Sequence, residues 1–579
     1  GKRYMEGQSF DTDFLVIGSG FGGSVSAMRL TEKGYRVIIA EQGKHISPET
    51  MPKTVRDIKQ FLWLPALKYK GFFSLQLFKH VMVLHGNAVG GGSITYANTL
   101  LQPEDKIWQQ GSWAGLHDWQ AVMPQHYETA KRMLGVSQNK KVGNADFMLQ
   151  KMANLSGVGD SFYLTDVGAY FSDHDKYAHP PVNGDPYFGG AGPKRSPCIG
   201  CGGCMVGCRY GAKNTLDKNY LYFAQKNGAT LLAETKVTDI VPIADASKSP
   251  SDPAYQNGSQ GYRVTLQSAD KGEYQITTQQ IVLSASSLGS QKLLFEQRHK
   301  GNMPHISPYL GKRIYTNAES LLGVRFLDDQ HGAMSDGVAI GSGIYLGDGT
   351  HIEATRYPEG FNIASFLATL SNYKNGKKMS LLAWLWCFIT QFIVKPRQAW
   401  RAFRPHNMAK QSLILLCMQS MPYALEMRYQ KSPWWRAWLG SRYQMQTHGP
   451  AIPAFIPAAS AFAEQMATQM GGVGYGVLSE VFLNIPTTAH CMGGISLGNS
   501  AADGVVDKYH RLFNYQGFYV CDGGNISTNL GVNPSLTITA LTEHAMSHIP
   551  HKSTQLLHAA DTTRQNLTLV QKDASKIPA

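Results

Sequence analysis

The residues of this chain that could do chemistry lie in three places. Near the start, Gly18-Ser19-Gly20-Phe21-Gly22-Gly23 follows an apolar run, Phe14 to Ile17, and precedes a helical stretch from Ser24 to Glu32. A second apolar run, Tyr35 to Ala40, ends at Glu41, eighteen residues after Gly23. Between two strands such glycines have separate tasks. Gly18 makes the tight turn, Gly20 lets the backbone approach a pyrophosphate, and Gly23 lets the helix pack on the strand, with Phe21 and Gly22 opening the helix. The helix N-terminus then faces the phosphates, and Glu41 accepts from ribose hydroxyls. An acid there favours an unphosphorylated ribose, so the pattern predicts FAD or NAD rather than NADP. The string alone is weak, since a chain with 59 glycines holds such spacings by chance. Its strand, helix and acid setting carries the reading.

The second place is Cys198-x2-Cys201-x2-Cys204-x3-Cys208, inside a glycine-rich loop over 196–216. Four thiols at this spacing look like a bacterial ferredoxin run and predict an iron–sulfur cluster. Arg209 stands where that run has proline, and no second run is present. Packed or redox-active thiols, and zinc, stay open as alternatives. The third place pairs His490, in His490-Cys491-Met492-Gly493-Gly494, with Asn533, in Asn533-Pro534-Ser535-Leu536-Thr537. Oxidising an alcohol with a flavin requires loss of the hydroxyl proton and of a carbinol hydride, and a histidine beside an amide can hold that hydroxyl. A lone histidine is more often a satisfied structural residue, so context decides.

That context is a long glycine run, Gly86-Asn87-Ala88-Val89-Gly90-Gly91-Gly92-Ser93-Ile94-Thr95-Tyr96-Ala97-Asn98. Three consecutive glycines allow backbone to approach a flat ring or phosphate, and Ser93 and Asn98 offer hydrogen bonds. With it go Ile281 to Gly289, Gly504 to Asp507, Phe518 to Gly524 and Gly531 to Leu541. Together these stretches resemble the glucose–methanol–choline (GMC) oxidoreductases over most of the chain, closest to their bacterial cholesterol-oxidase-like branch. The resemblance implies bound FAD, with Gly86, Gly90, Gly91, Gly92, Ser93 and Asn98 along the flavin. It places Asp522 and Gly523 near the ribityl chain, Val237 by the adenine, and Asn533 and Pro534 beside the ring. His490 and Asn533 become the catalytic pair. A proton-handling glutamate is also implied, with Glu353, Glu426 and Glu480 as candidates. Two departures stand out, Ser286 for a common glycine and Cys491 for a common proline. His85, the histidine nearest the glycine run, precedes it, which predicts a non-covalent flavin.

The elements that must position these groups follow from periodicity. Strand–helix–strand alternation near both ends predicts an α/β fold: a Rossmann-like FAD-binding domain on a parallel sheet, from 10–305 and 481–550. Thr537 to Ile549 reads as a helix, and the polar stretch from Asp245 to Gln260 as a surface loop. The middle, 306–480, lacks nucleotide motifs and predicts an inserted α+β substrate-binding domain. The tail 551–579 is polar and reads as disordered or draped on the surface.

Charge in this 579-residue chain is uneven. The net charge is +13, yet between Lys374 and Arg442 twelve basic residues face one acid, Glu426. Six of the ten tryptophans share this window: Trp384, Trp386, Trp400, Trp434, Trp435 and Trp438. Inside it, Met379 to Val394 is apolar around most of its circumference and too short to span a bilayer. Basic flanks complete the pattern of an interfacial helix on anionic lipid; a buried core helix is the bland alternative. No recognised nucleic-acid motif accompanies the charge. The polar lead-in lacks a signal-peptide pattern, and eight cysteines do not form a secreted scaffold, so the expected place is the cytoplasm, peripheral at the inner membrane face. The expected activity is oxidation of a bulky apolar alcohol, sterol-like or long-chain, with dioxygen, a quinone or a protein as acceptor. An FAD/iron–sulfur dehydrogenase and a steroid-ring desaturase or reductase are the alternatives.

Overall fold

A computed structural model describes residues 9–172, 180–421, 424–432 and 442–552. The tail from 553 onward and the Trp434, Trp435, Arg436 and Trp438 group lie outside the described residues.

Two sheets organise the chain. In the first, β1 (Thr12–Ile17) buries Phe14, Leu15 and Val16 completely, as a parallel strand covered on both faces must. Helix α1 (Phe21–Glu32) leads from it to β2 (Val37–Ala40), which pairs with β1 in parallel. Five more strands complete this sheet: β3 (Thr230–Leu232), β4 (Thr235–Pro242), β5 (Tyr262–Ser268), β6 (Gly272–Leu283) and Phe518–Val520. Their order is β3-β2-β1-β6-β5-β4, with Phe518–Val520 parallel beside β6. The predicted parallel sheet is therefore extended by an antiparallel edge, whose β4–β5 connection is the polar loop from Asp245.

Helices seal this sheet. Arg29 of α1 grips Glu543, on the helix Ser535–Ser547, with two bonds of 2.8 Å, and Tyr220 donates to the same carboxylate at 2.6 Å. That helix begins and ends two residues earlier than the sequence suggests, starting directly after Pro534. Its His544 sits among the rings of His117, His126 and His548, at centroid distances from 4.8 to 5.5 Å. Helix α2 (Trp119–Met133) packs on the same element. His510 is buried and turns its Nδ1 to Val520 O at 3.1 Å.

The second sheet is antiparallel, and a helix from well before 306 covers it. Its strands are β7 (Ser320–Phe326), β8 (Ile340–Tyr345), β9 (His351–Thr355), β10 (Ala368–Leu370), β11 (Ser412–Met418) and β12 (Gly472–Val477); helix α3 (Asn144–Leu155) packs on β8 and β9 and shares one apolar core with β7 and β11. The strand order is β10-β12-β7-β11-β9-β8, and the short strand Tyr163–Leu164 closes the β8 edge. Asp146 of α3 pins α3 to the sheet: it accepts from Arg356 Nη1 at 2.9 Å and Nη2 at 2.6 Å, and from Ser342 Oγ at 2.7 Å. Both partners of this ion pair are fully buried.

Helix α4 (Ser286–Lys300) starts where β6 ends, and its first residue explains one sequence departure. Ser286 has φ +67°, the left-handed region a glycine occupies freely, so serine carries backbone strain there.

Helices α5 (Leu381–Val394) and α6 (Pro396–Phe403) form a hairpin on the second sheet. Only Trp384 of α5 is buried, anchored by its indole N–H on Leu370 O at 2.8 Å. Phe388 and Phe392 pack on Phe403 of α6. Leu382, Trp386, Ile393 and Val394 are each at least 71% exposed, so the core-helix alternative does not hold. Among the described residues no helix is long and apolar enough to cross a membrane.

The Asp146–Arg356 pair gives a stability prediction. Arg356→Leu strands a buried carboxylate and should cost about 3–5 kcal/mol. Thermal unfolding and soluble yield check it; an unchanged midpoint would show that water reaches the pair.

Candidate active site

The nucleotide cradle is built by loops leaving the carboxyl ends of β1, β6 and Phe518–Val520. Gly18 takes φ +100°, and a Cβ there would lie 2.2 Å from Ser284 O. At Gly22 it would lie 1.6 Å from Cys521 O, and at Gly23 2.0 Å from Gly18 O. These three positions admit no side chain. Gly20 differs: its nearest neighbour would be Gly91 Cα at 3.9 Å, and Gly92 meets only Phe21 Cε2 at 4.0 Å. Backbone is thus left bare on both sides of a gap between the two glycine runs, which fits a pyrophosphate and the edge of a flavin. Gly91, at φ +52°, packs directly on Gly20. Gly90 N–H donates to Ser19 Oγ at 3.0 Å, and Gly86 lies against Thr95 and Gly91.

Around this gap the polar side chains are unevenly spent. Glu41 is buried at the end of β2; Ser19 N–H, Ser19 Oγ and Gly43 N–H bind it at 2.9, 2.7 and 2.8 Å. Burial raises its carboxyl above the usual range against those bonds. Ser93 turns inward, donating to Gly90 O at 2.6 Å and accepting from Leu216 N–H at 3.1 Å. Asn98 gives its amide N–H to Cys204 Sγ at 3.2 Å, while its buried Oδ1 has no partner. Phe21 meets Tyr96 edge-on at 5.5 Å. Asp522 caps the turn 523–525, accepting from Gly524 N–H at 2.7 Å and from Ser290 Oγ. Burial pushes its carboxyl up to about 6. Gly523 lies over Cys491 O and Ile538, and Val237 is buried on β4 just before a bulge.

His490 is held between two short strands. Thr487–Thr488 pairs with Met82–Val83, and Met492–Gly493 runs antiparallel to Ile314–Tyr315. Extending that last register by two residues brings Asn317 opposite His490. Asn317 Nδ2 lies 3.2 Å from His490 Nδ1 and donates to Val532 O at 2.9 Å. Glu319 Oε1 bonds the same Nδ1, and its Oε2 accepts from Ala489 N–H at 2.9 Å. The proton therefore belongs on Nδ1, which leaves the Nε2 lone pair to accept from Asn533 Nδ2 at 3.3 Å. Burial opposes a charged ring, but Glu319 and then Glu353 outweigh it, and His490 titrates above its ordinary range.

The three candidate glutamates now separate. Glu426 is a surface acid paired with Arg428 at 3.1 Å. Glu480 is buried, accepting from Ser320 Oγ at 2.9 Å and Leu321 N–H at 3.1 Å, with burial pushing it up to about 8. Glu353, on β9, is fully buried and neither oxygen completes a hydrogen bond. Burial pushes it up to about 7, with His490 and then Asn533 near enough to pull it back. His351 Nε2 lies 3.9 Å from Glu353 Oε1, and burial lowers His351 to about 4. Asn533 Oδ1 and Asn317 Oδ1 are likewise buried without partners. Asn317 and Glu319 escaped sequence reasoning; their only signal is a polar Asn-Ala-Glu step ahead of an apolar strand.

The metal assignment needs correction. Cys198, Cys201, Cys204 and Cys208 do line one cavity, but its volume is about 20 Å³, room for about one water. Among the described residues no three His, Cys, Asp or Glu side chains are arranged to hold a metal ion. Burial pushes Cys198 up to about 11 and Cys204 higher. The sulfurs accept backbone bonds instead, from Gly200 N–H at 3.4 Å, Ala339 N–H at 3.4 Å and Lys213 N–H at 3.3 Å. The expected iron–sulfur cluster, and electron transfer through it, have no support here.

Comparison with known proteins agrees with the geometry. Residues 194–315 and 460–542 match GMC oxidoreductase, and 16–61 match an NAD(P)-binding Rossmann-like domain. The chain is 44% identical over 575 residues, 99% of both chains, to a cholesterol oxidase of Acinetobacter baumannii. It is 39% identical over 544 residues, 94% of this chain and 92% of the other, to a cholesterol oxidase of Mycobacterium tuberculosis. A long-chain-alcohol oxidase of Arabidopsis thaliana is 23% identical over 555 residues, 91% of this chain and 65% of that one. Pyridoxine 4-oxidase from Mesorbium loti shares the fold, with TM-score 0.56 at 12% identity over 93% of this chain and 99% of that one. Identity at this level along the whole length shows that the chain belongs to the GMC oxidoreductase family, in its cholesterol-oxidase-like branch, and is an FAD-dependent alcohol oxidoreductase.

Proposed function

We propose that this enzyme oxidises the hydroxyl of a sterol-like alcohol, with dioxygen as the electron acceptor. One observation carries the reading: buried acceptors without donors, Glu353 Oε1 and Oε2 and Asn533 Oδ1, stand around the free face of His490. Such groups are costly unless a ligand donor arrives, and an alcohol O–H is one. The strong likeness to two bacterial cholesterol oxidases supports a sterol skeleton over a small polyol. FAD, when bound, supplies the acceptor for the carbinol hydride. Asn533 Nδ2 and His490 Nε2 hold the substrate oxygen, and His490 takes the hydroxyl proton. Glu353, able to exchange a proton near neutrality, passes it on. In this reading 10–305 and 481–550 hold FAD, through Gly18, Gly20, Gly22, Gly23, Glu41, the 86–98 run, Val237, Asp522 and Pro534. Segment 306–480 then faces the sterol.

His490→Ala and Asn533→Ala should leave flavin content near normal and slow flavin reduction by about 10²-fold or more. Glu353→Gln should slow it as well and remove the titration near pH 7. Stopped-flow flavin bleaching decides, and wild-type rates in the first two variants would sink the assignment. FAD should be held without a covalent bond, so acid precipitation should send the yellow colour to the supernatant.

A sterol hardly partitions into water, and the α5–α6 hairpin suits a membrane source for it. The exposed face of α5 is continued by Trp400, and by Phe482 and Leu483 on α7 (Leu478–Leu483), whose Phe482 packs on Trp384 at 4.7 Å. At 14 residues α5 is about 21 Å long, too short to span but suited to lie in the headgroup layer. Lys374, Lys377, Lys378, Lys395, Arg397 and Arg401 rim it and fit the anionic inner face of a cell membrane. Flotation with anionic vesicles should carry the enzyme, with binding weakened as salt screens the rim over roughly 8–10 Å. Trp386→Ser together with Ile393→Ser should abolish the salt-resistant part and leave turnover of detergent-solubilised sterol intact. Protein that ignores anionic vesicles at low salt would remove the membrane from this reading.

A further inference from the structure

His490 has a partner on the face turned away from the substrate. Glu319 stands one residue before β7, where the Ile314–Tyr315 pairing delivers it, and its carboxylate meets Nδ1 of the ring. Its second oxygen is fixed by Ala489 N–H at 2.9 Å, so the carboxylate cannot swing away without breaking a backbone bond. Glu319 is 1% exposed and His490 8%, so water competes for neither. We infer that Glu319 is a positioning residue that locks His490 in the Nδ1–H tautomer and balances the imidazolium formed when the substrate hydroxyl loses its proton. This rests on the alcohol-oxidation reading above.

The proton step balances within the chain. The substrate O–H bond breaks, a new N–H forms at Nε2 with the former lone pair, and Nδ1 keeps its own proton. The ring gains one positive charge, the substrate oxygen one negative. A buried imidazolium without a counter-charge would be costly. The ionisable groups coupled to the ring are Glu319 at Nδ1, Glu353 from β9 and His351 from the same strand. Asn317 and Asn533 are neutral, and His351 is cationic only under acid. Glu353 titrates near pH 7, and Glu319 is the carboxylate bonded directly to the ring. The same logic of acid, imidazole and hydroxyl governs triads in hydrolases, where the acid holds the tautomer and stabilises the imidazolium.

The test is Glu319→Gln, which keeps an acceptor for Nδ1–H and removes the charge. Flavin content and the visible spectrum should remain those of the wild type. The rate of flavin reduction should drop at least about tenfold, and its acidic limb should move to lower pH by roughly one unit, since a lost neighbouring anion lowers a histidine pKa. A second readout is the ring 15N titration of His490 in the holoenzyme, identified by its disappearance in His490→Ala; its midpoint should fall with the limb. A merely structural role would lower yield without moving either. If Glu319→Gln does not accumulate as folded flavoprotein, Glu319→Asp serves: pulled back by one methylene, it should shift limb and midpoint the same way by less. An unmoved limb and midpoint in the folded variant overturns the inference. His490→Ala run in parallel separates the two claims. Wild-type reduction there defeats the alcohol-oxidation reading itself, whereas a slow His490→Ala beside an unaltered Glu319→Gln defeats only the role of Glu319.

Discussion

Backbone meeting backbone at the carboxyl ends of β1, β6 and Phe518–Val520 is the constraint on which the rest of this structure depends. Gly22 rests on the carbonyl of Cys521, and Gly18 on that of Ser284. Any side chain there would push apart the loops that start α1, start α4 and lead to Asp522. Those loops enclose the nucleotide gap from below, and the run around Gly91 closes it from the side by touching Gly20. Bare peptide is the price of a cradle that reads charge and flatness rather than shape.

The proposed catalytic centre lies where the two sheets meet rather than on either one. His490 belongs to the chain returning to the first sheet, while Glu319 immediately precedes β7 and Glu353 lies on β9 of the second. Asn533 comes from the start of the last helix. The short antiparallel pair, Ile314–Tyr315 with Met492–Gly493, sets their mutual register. A one-residue slip in it would turn Asn317 away from His490 and replace it with a neighbour of the opposite face.

How much of this was legible in the sequence follows the range of the interactions. Gly18, Gly20, Gly23 and Glu41 form a local pattern within one βαβ unit, so spacing read in its strand–helix–strand setting pointed to them. His490 and Asn533 were found through resemblance, since nothing local marks them. Glu319 and Asn317 depend on a pairing across about 170 residues, and no window of sequence contains it. Glu353 was one of three candidates, and its burial without partners, which no sequence shows, is what favours it in the proposed mechanism. The cysteine spacing misled because spacing specifies order along the chain, not the room left between thiols or their protonation. The apolar stretch was read as a helix, and three dimensions were needed to show which of its faces is covered.

The buried ionisable groups also shape how folding responds to acid. Glu480, Glu353 and Asp522 keep their protons up to about 8, 7 and 6 when folded, while the unfolded chain releases them near pH 4. As pH falls from 8 toward 6.5 the folded state alone takes up protons, and stability rises by up to about 1.4 kcal/mol per group and unit. Below about 6.5 the unfolded chain begins to charge its histidines. His351 and His510 resist to about 4 and His544 to about 2 in the folded state, so their contribution is lost as pH falls. Three acids gaining and three histidines losing nearly cancel between 6.5 and 4.5. Taken by themselves, these six groups add stability as pH falls from 8 to about 6.5 and then nearly offset one another.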